Sequence, residues 1–261
     1  MRKIVFLCAL LVSAQSFAQG TSDWRLEKMP VDLETDYALS ALPPHLRNEA
    51  TVYLLDPQKG YYVGRQGSNG YICFITRTEW EWSEFRDDLC TPISYDAEGA
   101  RSIFPIYMDV AAMRASGKYQ ATQIRDSIIK RINTGVYKAP SKPGMSYMLA
   151  PVMRVFPGNP PDIKEPITVS MPHYMLYAPY LTEANSRYKQ GTDGLMLANP
   201  DNAILGDGKG PYGYVIIPAS ETEKAVIVED GKDLLKRLAA YKAYLAVTPG
   251  GEHHHGAATK Q

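Results

Sequence analysis

Residues 51–76 read TVYLLDPQKGYYVGRQGSNGYICFIT, and the alternation of apolar runs with turn formers sets the expected architecture. Thr51 to Leu55 is a β-prone run, and Asp56-Pro57-Gln58-Lys59-Gly60 is a turn. Tyr61-Tyr62-Val63 then resumes β texture. Gly67-Ser68-Asn69-Gly70 carries Asn-Gly, the strongest short hairpin signal, ahead of Tyr71 to Thr76. The stretch predicts an N-terminal antiparallel meander of three strands.

Outward from the meander the texture changes. Leu33 to Leu42 places apolar residues at helical intervals before Pro43-Pro44 stops it. Residues 97–115 and 119–134 read as helices; in the second, Ile124, Ile128 and Ile132 form a core stripe and Gly135 a C-terminal cap. Short β-like runs follow at Ser146–Leu149, Thr168–Met171, Tyr174–Tyr177 and Tyr214–Ile217. Between the last two, residues 180–212 have little periodicity, as in a functional or mobile loop. A C-terminal amphipathic helix is expected over Asp230 to Ala246, with Leu234, Leu235, Leu238, Tyr241 and Leu245 on one face. Strands, then helices, then strands predict a single α+β domain over 19–247, its antiparallel sheet or sheets packed by helices, with a disordered tail at 248–261.

The amino terminus supplies an address. Arg2 and Lys3 precede an apolar run from Ile4 to Val12, and Ser16-Phe17-Ala18 offers small residues at a cleavage position. That is the layout of a signal peptide over 1–18, too short to span a bilayer. No later run approaches the length of a membrane span, and Cys8 lacks the small residues that precede a lipidated cysteine. The expectation is a soluble periplasmic or secreted protein. Cleavage leaves Cys73 and Cys90, which in an oxidising compartment predict one disulfide; a catalytic thiol, needing a nearby base, is the competing reading.

The chemistry is sparse. Lys+Arg and Asp+Glu balance at 28 each, which argues against a nucleic-acid binder. The phosphate-loop, dinucleotide, nucleophile-elbow, H-E-x-x-H and calcium-loop patterns are all missing, so no cofactor is expected. Of five histidines, His253, His254 and His255 lie in the tail, where no role is assigned. Only His45 and His173 remain in the body, too few for a three-histidine zinc site, and no metal site is predicted. His173 opens the Tyr174–Tyr177 run, as a functional side chain or as a histidine bonded to backbone. His45, after Pro43-Pro44, is a binding candidate or a surface group. Asp96 and Glu98 could act as an acid/base pair, or Asp96 could cap a helix whose first turn Glu98 favours. Trp80, Trp82 and Phe85 interleave with Glu79, Glu81 and Glu84, either to stack on a sugar or to form a short amphipathic helix.

Several segments together resemble a family of exported bacterial proteins with no assigned activity: 38–47, 50–53, 67–73, 94–99 and 172–175. The resemblance covers most of 33–247 and implies export, but no reaction, ligand or partner. Two functions follow from the residues. One is a non-enzymatic domain binding a ligand or partner through 180–212. The other is an acid/base or metal-assisted hydrolase using His173 with Asp96 or Glu98.

Overall fold

The computed structural model describes residues 25–157, 165–181, 196–198 and 211–247. The expected signal segment, the tail with its three histidines and most of 180–212 lie outside the described residues. Helices and largely antiparallel sheets make an α+β fold. Among the described residues, no helix is long and apolar enough to cross a membrane.

β1 (Thr51–Asp56) and β2 (Gly60–Arg65) form the expected antiparallel hairpin. The third strand corrects the meander: β3 (Ile72–Thr76) lies on the far side of β1 and runs parallel to it. Asn69-Gly70 does not close a hairpin. Instead the chain passes beneath the start of β1, where the Ser68 and Asn69 N–H groups donate to the Glu49 carbonyl at 2.8 and 3.1 Å. The Asn69 side chain turns the chain by accepting from the Tyr71 N–H (3.0 Å), while its amide donates to the Leu46 carbonyl (2.8 Å). Gly67 is required at the crossing, because a Cβ there would sit 2.2 Å from the Glu49 oxygen and 2.5 Å from the Thr51 nitrogen. β4 (Thr91–Tyr95) completes the order β2-β1-β3-β4.

Among the described residues six further strands follow: β5 (Met145–Met148), β6 (Met153–Val155), β7 (Ile167–Val169), β8 (His173–Tyr177), β9 (Met196–Ala198) and β10 (Tyr214–Pro218). β5, β8, β10 and β9 make a second sheet in that order, and β6 pairs β7 as a separate ribbon. Serine side chains couple the two sheets. Ser94 Oγ donates to the Tyr147 carbonyl (3.0 Å) and accepts its N–H (3.1 Å), while Ser146 Oγ donates to the Ser94 carbonyl. Both serines are fully buried, so the backbone groups at this seam are paired by hydroxyls rather than by a regular ladder.

Among the described residues the helices are α1 (Val31–Leu39), α2 (Pro44–Arg47), α3 (Ala97–Ser102), α4 (Phe104–Ala115), α5 (Ala121–Asn133), α6 (Glu221–Asp230) and α7 (Lys232–Tyr241). The single helix expected over 97–115 breaks at Ile103, because Pro105 has no N–H to continue the ladder and is at home in a first turn. The helix expected over 230–246 is present as α7, which ends earlier at Tyr241 and packs Leu234, Leu235, Leu238 and Tyr241 on the core, and an unforeseen helix, α6, precedes it. α6 ends at Gly231, where a Cβ would meet Pro151 at 2.8 Å, and a 3-10 turn (Ala243–Leu245) follows α7. In α5, Ile124, Ile128 and Ile132 are the buried residues, each stabilising by about 1.5–3 kcal/mol if fully transferred from water. They join an aromatic core built on Phe74, Tyr95 and Phe104, whereas α1 and α7 cover a second cluster around Tyr37, Leu42 and Leu238.

The disulfide is also corrected: Cys73 and Cys90 are free thiols, both buried in the second cluster. The register explains it. Cys73 faces Ser94 and Thr76 faces Thr91, so Cys90 falls one step beyond, level with Arg77. Four residues of strand separate the sulfurs by ~13 Å along the sheet, against a ceiling of about 7 Å between bridged α-carbons. Burial raises both thiol pKa values, which makes them inert as nucleophiles. We expect both cysteines to be alkylated only after unfolding, and a reductant to leave the thermal midpoint unchanged. A midpoint that falls on reduction would show a bridge.

Candidate functional site

The residues singled out by sequence are placed apart. Asp96 is the N-cap of α3: its Oδ1 accepts the Gly99 N–H and the Tyr177 hydroxyl, both at 2.9 Å, and its Oδ2 accepts the Met145 N–H at 2.9 Å. Glu98 accepts from Ser141, the Lys142 N–H and the Arg101 guanidinium. The Ser141 N–H, then Arg101, hold its carboxyl below the usual range. His173 is buried with Nδ1 2.8 Å from the Met171 carbonyl oxygen, and burial lowers its pKa. It stands at the opposite end of β8 from Tyr177, the residue Asp96 touches, so His173 and Asp96 do not share a site. His45 is exposed on the single turn of α2. Trp80 is buried against α5, and Trp82 stacks on Phe156 with ring centroids 4.5 Å apart and planes within 5°. Both indoles are spent on packing. Among the described residues, no group of three His, Cys, Asp or Glu side chains is placed to hold a metal ion.

The glutamates between those indoles have a different character. After β3 the chain forms a 3-10 turn (Trp80–Trp82) that ends on Ser83 in the left-handed region, φ 58° and ψ 30°. This conformation is uncommon for a residue with a Cβ and is held there by surrounding structure. Glu79 Oε1 and Ser83 Oγ, at the two ends of this turn, are buried and have no hydrogen-bond partner. Such atoms are rare in native structures because leaving one unpaired costs about 1–3 kcal/mol.

Three tyrosine hydroxyls from three different elements form a cluster near the turn, Tyr95 of β4, Tyr107 of α4 and Tyr214 of β10, of which Tyr107 and Tyr214 lie close to Glu81. Tyr95 Oη lies 3.2 Å from Tyr214 Oη and 3.4 Å from Tyr107 Oη. Glu81 is close enough to Tyr107 and Tyr214 to push their pKa values up further, beyond the effect of burial. Burial raises Glu81 to about 7, and burial followed by repulsion from Glu81 raises Glu79 well above the usual carboxylate value. Glu79, Glu81, Tyr107 and Tyr214 nevertheless keep partial solvent exposure, so the cluster meets water. Together these groups offer hydroxyls, one unpaired carboxyl oxygen, and a second carboxyl that burial raises to about 7.

The alternation of acid and indole over 79–82 signals this site in the sequence. Tyr107 and Tyr214 carry no local mark, because only the packing of α4 and β10 brings them to the turn. Comparison with protein-family models, with curated proteins and with solved structures gave no match, so the reading of this cluster rests on its own residues.

Proposed function

We propose that the chain is an exported, non-catalytic domain that binds a small ligand in the crevice between the 79–83 turn and the Tyr95, Tyr107 and Tyr214 hydroxyls. The observation that carries this reading is the pair of unpaired buried atoms, Glu79 Oε1 and Ser83 Oγ, at the ends of one turn. A ligand's donors would complete them. Export is supported by the charge, apolar and small-residue order of 2–18 and by the resemblance to exported bacterial proteins. Two buried, unreactive thiols are compatible with an oxidising compartment. The acid/base alternative finds no support in the placement of His173, Asp96 and Glu98, whose polar atoms are engaged in holding backbone.

Trp80 and Trp82 lie within the turn, so their emission reports on occupancy. A panel of small soluble compounds, neutral and charged, should include ligands that shift this emission and raise the thermal midpoint. The double variant Glu81→Gln, Tyr214→Phe should lose both effects while keeping its circular dichroism, and the ligand should be recovered chemically intact. A ligand that binds the double variant as tightly as the parent, or that is turned over, would overturn the proposal.

A further inference from the structure

We propose that the cleft between the β1–β2 turn, the segment that follows β3 and the last turns of α4 binds a short aliphatic carboxylate, with its head on the Arg77 guanidinium and its tail between Leu55, Pro57 and Val110. This is a second site: of its lining residues only Tyr107 also belongs to the cluster at the 79–83 turn.

The cleft holds about 330 Å³ of empty space, its open mouth included. Three features select the ligand. First, Arg77 on its wall is a cation almost withdrawn from water, 4% exposed, and buried charges are ordinarily paired. Its Nε donates to the Leu89 carbonyl at 2.7 Å and its Nη2 to the Asp87 carbonyl at 2.8 Å, which leaves Nη1 without an acceptor among the described residues. A planar fork with one arm open suits a carboxylate oxygen. No acid of the chain supplies the missing charge. Asp87 offers Arg77 its carbonyl rather than its carboxyl, Glu34 spends Oε1 on the Leu55 N–H (2.7 Å), and Asp56 accepts the Gln58 N–H (2.9 Å). Among the described residues none of the three forms an ion pair with Arg77.

Second, Thr78 Oγ1 accepts from Arg114 at 2.6 Å, so its own proton is left to donate, and Arg114 brings a second positive charge to the same wall. Burial, then repulsion from Arg77, lowers the Arg114 pKa to about 10, and a negative head group would relieve that repulsion. Third, Leu26, Leu55, Pro57, Val110 and Ala111 make much of the remaining lining hydrocarbon, which favours an apolar tail over a fully hydrated ion.

The test titrates the whole chain with butyrate, butyramide and chloride, read by calorimetry and by the thermal midpoint, at constant ionic strength in a buffer free of other carboxylates. Butyrate should bind and raise the midpoint. Butyramide, of the same size without the charge, should be weaker by about ten- to a hundredfold, the worth of a charge-assisted hydrogen bond. Chloride at equal concentration should not displace butyrate. Arg77→Lys, which keeps the charge and loses the fork, should weaken butyrate by about tenfold or more. Should that variant not fold, Ala115→Phe decides: it fills the cleft from the end of α4, leaves both arginines in place, and should abolish butyrate binding with circular dichroism unchanged. Butyramide binding as tightly as butyrate, or chloride displacing it, would overturn the carboxylate. Butyrate that does not bind, or that binds Ala115→Phe as tightly as the parent, would overturn the site. None of these outcomes touches the reading of the 79–83 turn, which is judged by Glu81→Gln, Tyr214→Phe; that double variant should bind butyrate as the parent does.

Discussion

Raised from about pH 4.5 to about pH 7.5, the protein should lose several kcal/mol of folding stability, the reverse of the usual carboxylate behaviour. The cause is buried acids without adequate partners. Glu34 of α1 is 2% exposed; its Oε1 accepts the Leu55 N–H at 2.7 Å, while its Oε2 has no hydrogen-bond partner. Burial raises its pKa from 4.5 to about 7, against the pull of the Leu55 N–H, Arg77 and Lys28. Glu81 is raised to about 7 by burial, and burial followed by repulsion from Glu81 raises Glu79 well above the usual carboxylate value. In each case the folded state holds its proton more tightly than the unfolded chain. The associated stability is complete below the unfolded pKa and lost as pH rises through the folded one. A shift of that size corresponds to about 3 kcal/mol for Glu34, and less for Glu81, whose surface is partly screened by water.

Four groups act in the opposite sense; Glu27 and Glu98, lowered by Lys242 and by the Ser141 N–H respectively, do so only as pH drops below the usual carboxylate range. His173 is held neutral by burial, so stability gains as pH rises through the unfolded histidine value. Asp88, stabilised by Arg86 and Arg154 against its own burial, is lowered and protects the fold until pH drops below the usual carboxylate range. One ring against three carboxyls leaves a net fall above pH 4.5. Urea midpoints measured at intervals across this range check it. Glu34→Gln should flatten the slope, raising the midpoint near pH 8 and changing it little near pH 5. A midpoint that climbs steadily to pH 8 in the parent would mean that Glu34 and Glu81 are hydrated.

What the sequence made legible was whatever depended on local spacing. The isoleucine stripe of α5 is a period that only a helix aligns, and it is buried as a face. Asp96 before Ala97 reads as a cap because capping needs only the next three residues. Where long-range pairing decided, local signals misled. Asn69-Gly70 has the chemistry of a hairpin, yet its side-chain bonds to Leu46 and Tyr71 send the chain under β1. Ala225-Val226-Ile227-Val228 has no helical stripe, and α6, which contains it, buries no residue, so nothing in its pattern announced a helix. Cysteine spacing along the chain says nothing about strand register, which is what keeps the two thiols apart. The crevice divides the same way: its acidic turn is written in consecutive residues, and its tyrosines are assembled from β4, α4 and β10.

Removing the Asp96 carboxyl should be among the most damaging single changes in the molecule, although the residue has no catalytic surroundings. Its three hydrogen bonds tie together the head of α3, the start of β5 and the end of β8. The packing leaves no slack for a substitute. A Cβ at Gly144 would lie 2.5 Å from Asp96 Oδ2, and one at Gly99 would lie 2.2 Å from the Tyr177 hydroxyl. Asp96→Ala therefore removes a cap worth about 1 kcal/mol and leaves a β5 N–H without its acceptor, at about 1–3 kcal/mol, while the Tyr177 hydroxyl keeps the Met145 carbonyl at 3.2 Å. The expected loss is about 2–4 kcal/mol, read from urea unfolding at constant pH. Asp96→Asn keeps one oxygen for Gly99 and Tyr177 but turns an amide toward the Met145 N–H, so it should cost less. Tyr177→Phe, which keeps the ring and deletes only the hydroxyl, should cost about 1 kcal/mol alone. Combined with Asp96→Ala it should cost less than it does alone, because one of its two acceptors is already gone and only the Met145 carbonyl remains to be lost. Full additivity in that double variant would mean that the two side chains do not meet, and the junction between the two sheets would then rest on the Ser94 and Ser146 hydroxyls and the Asp96 N–H bond to the Met145 carbonyl.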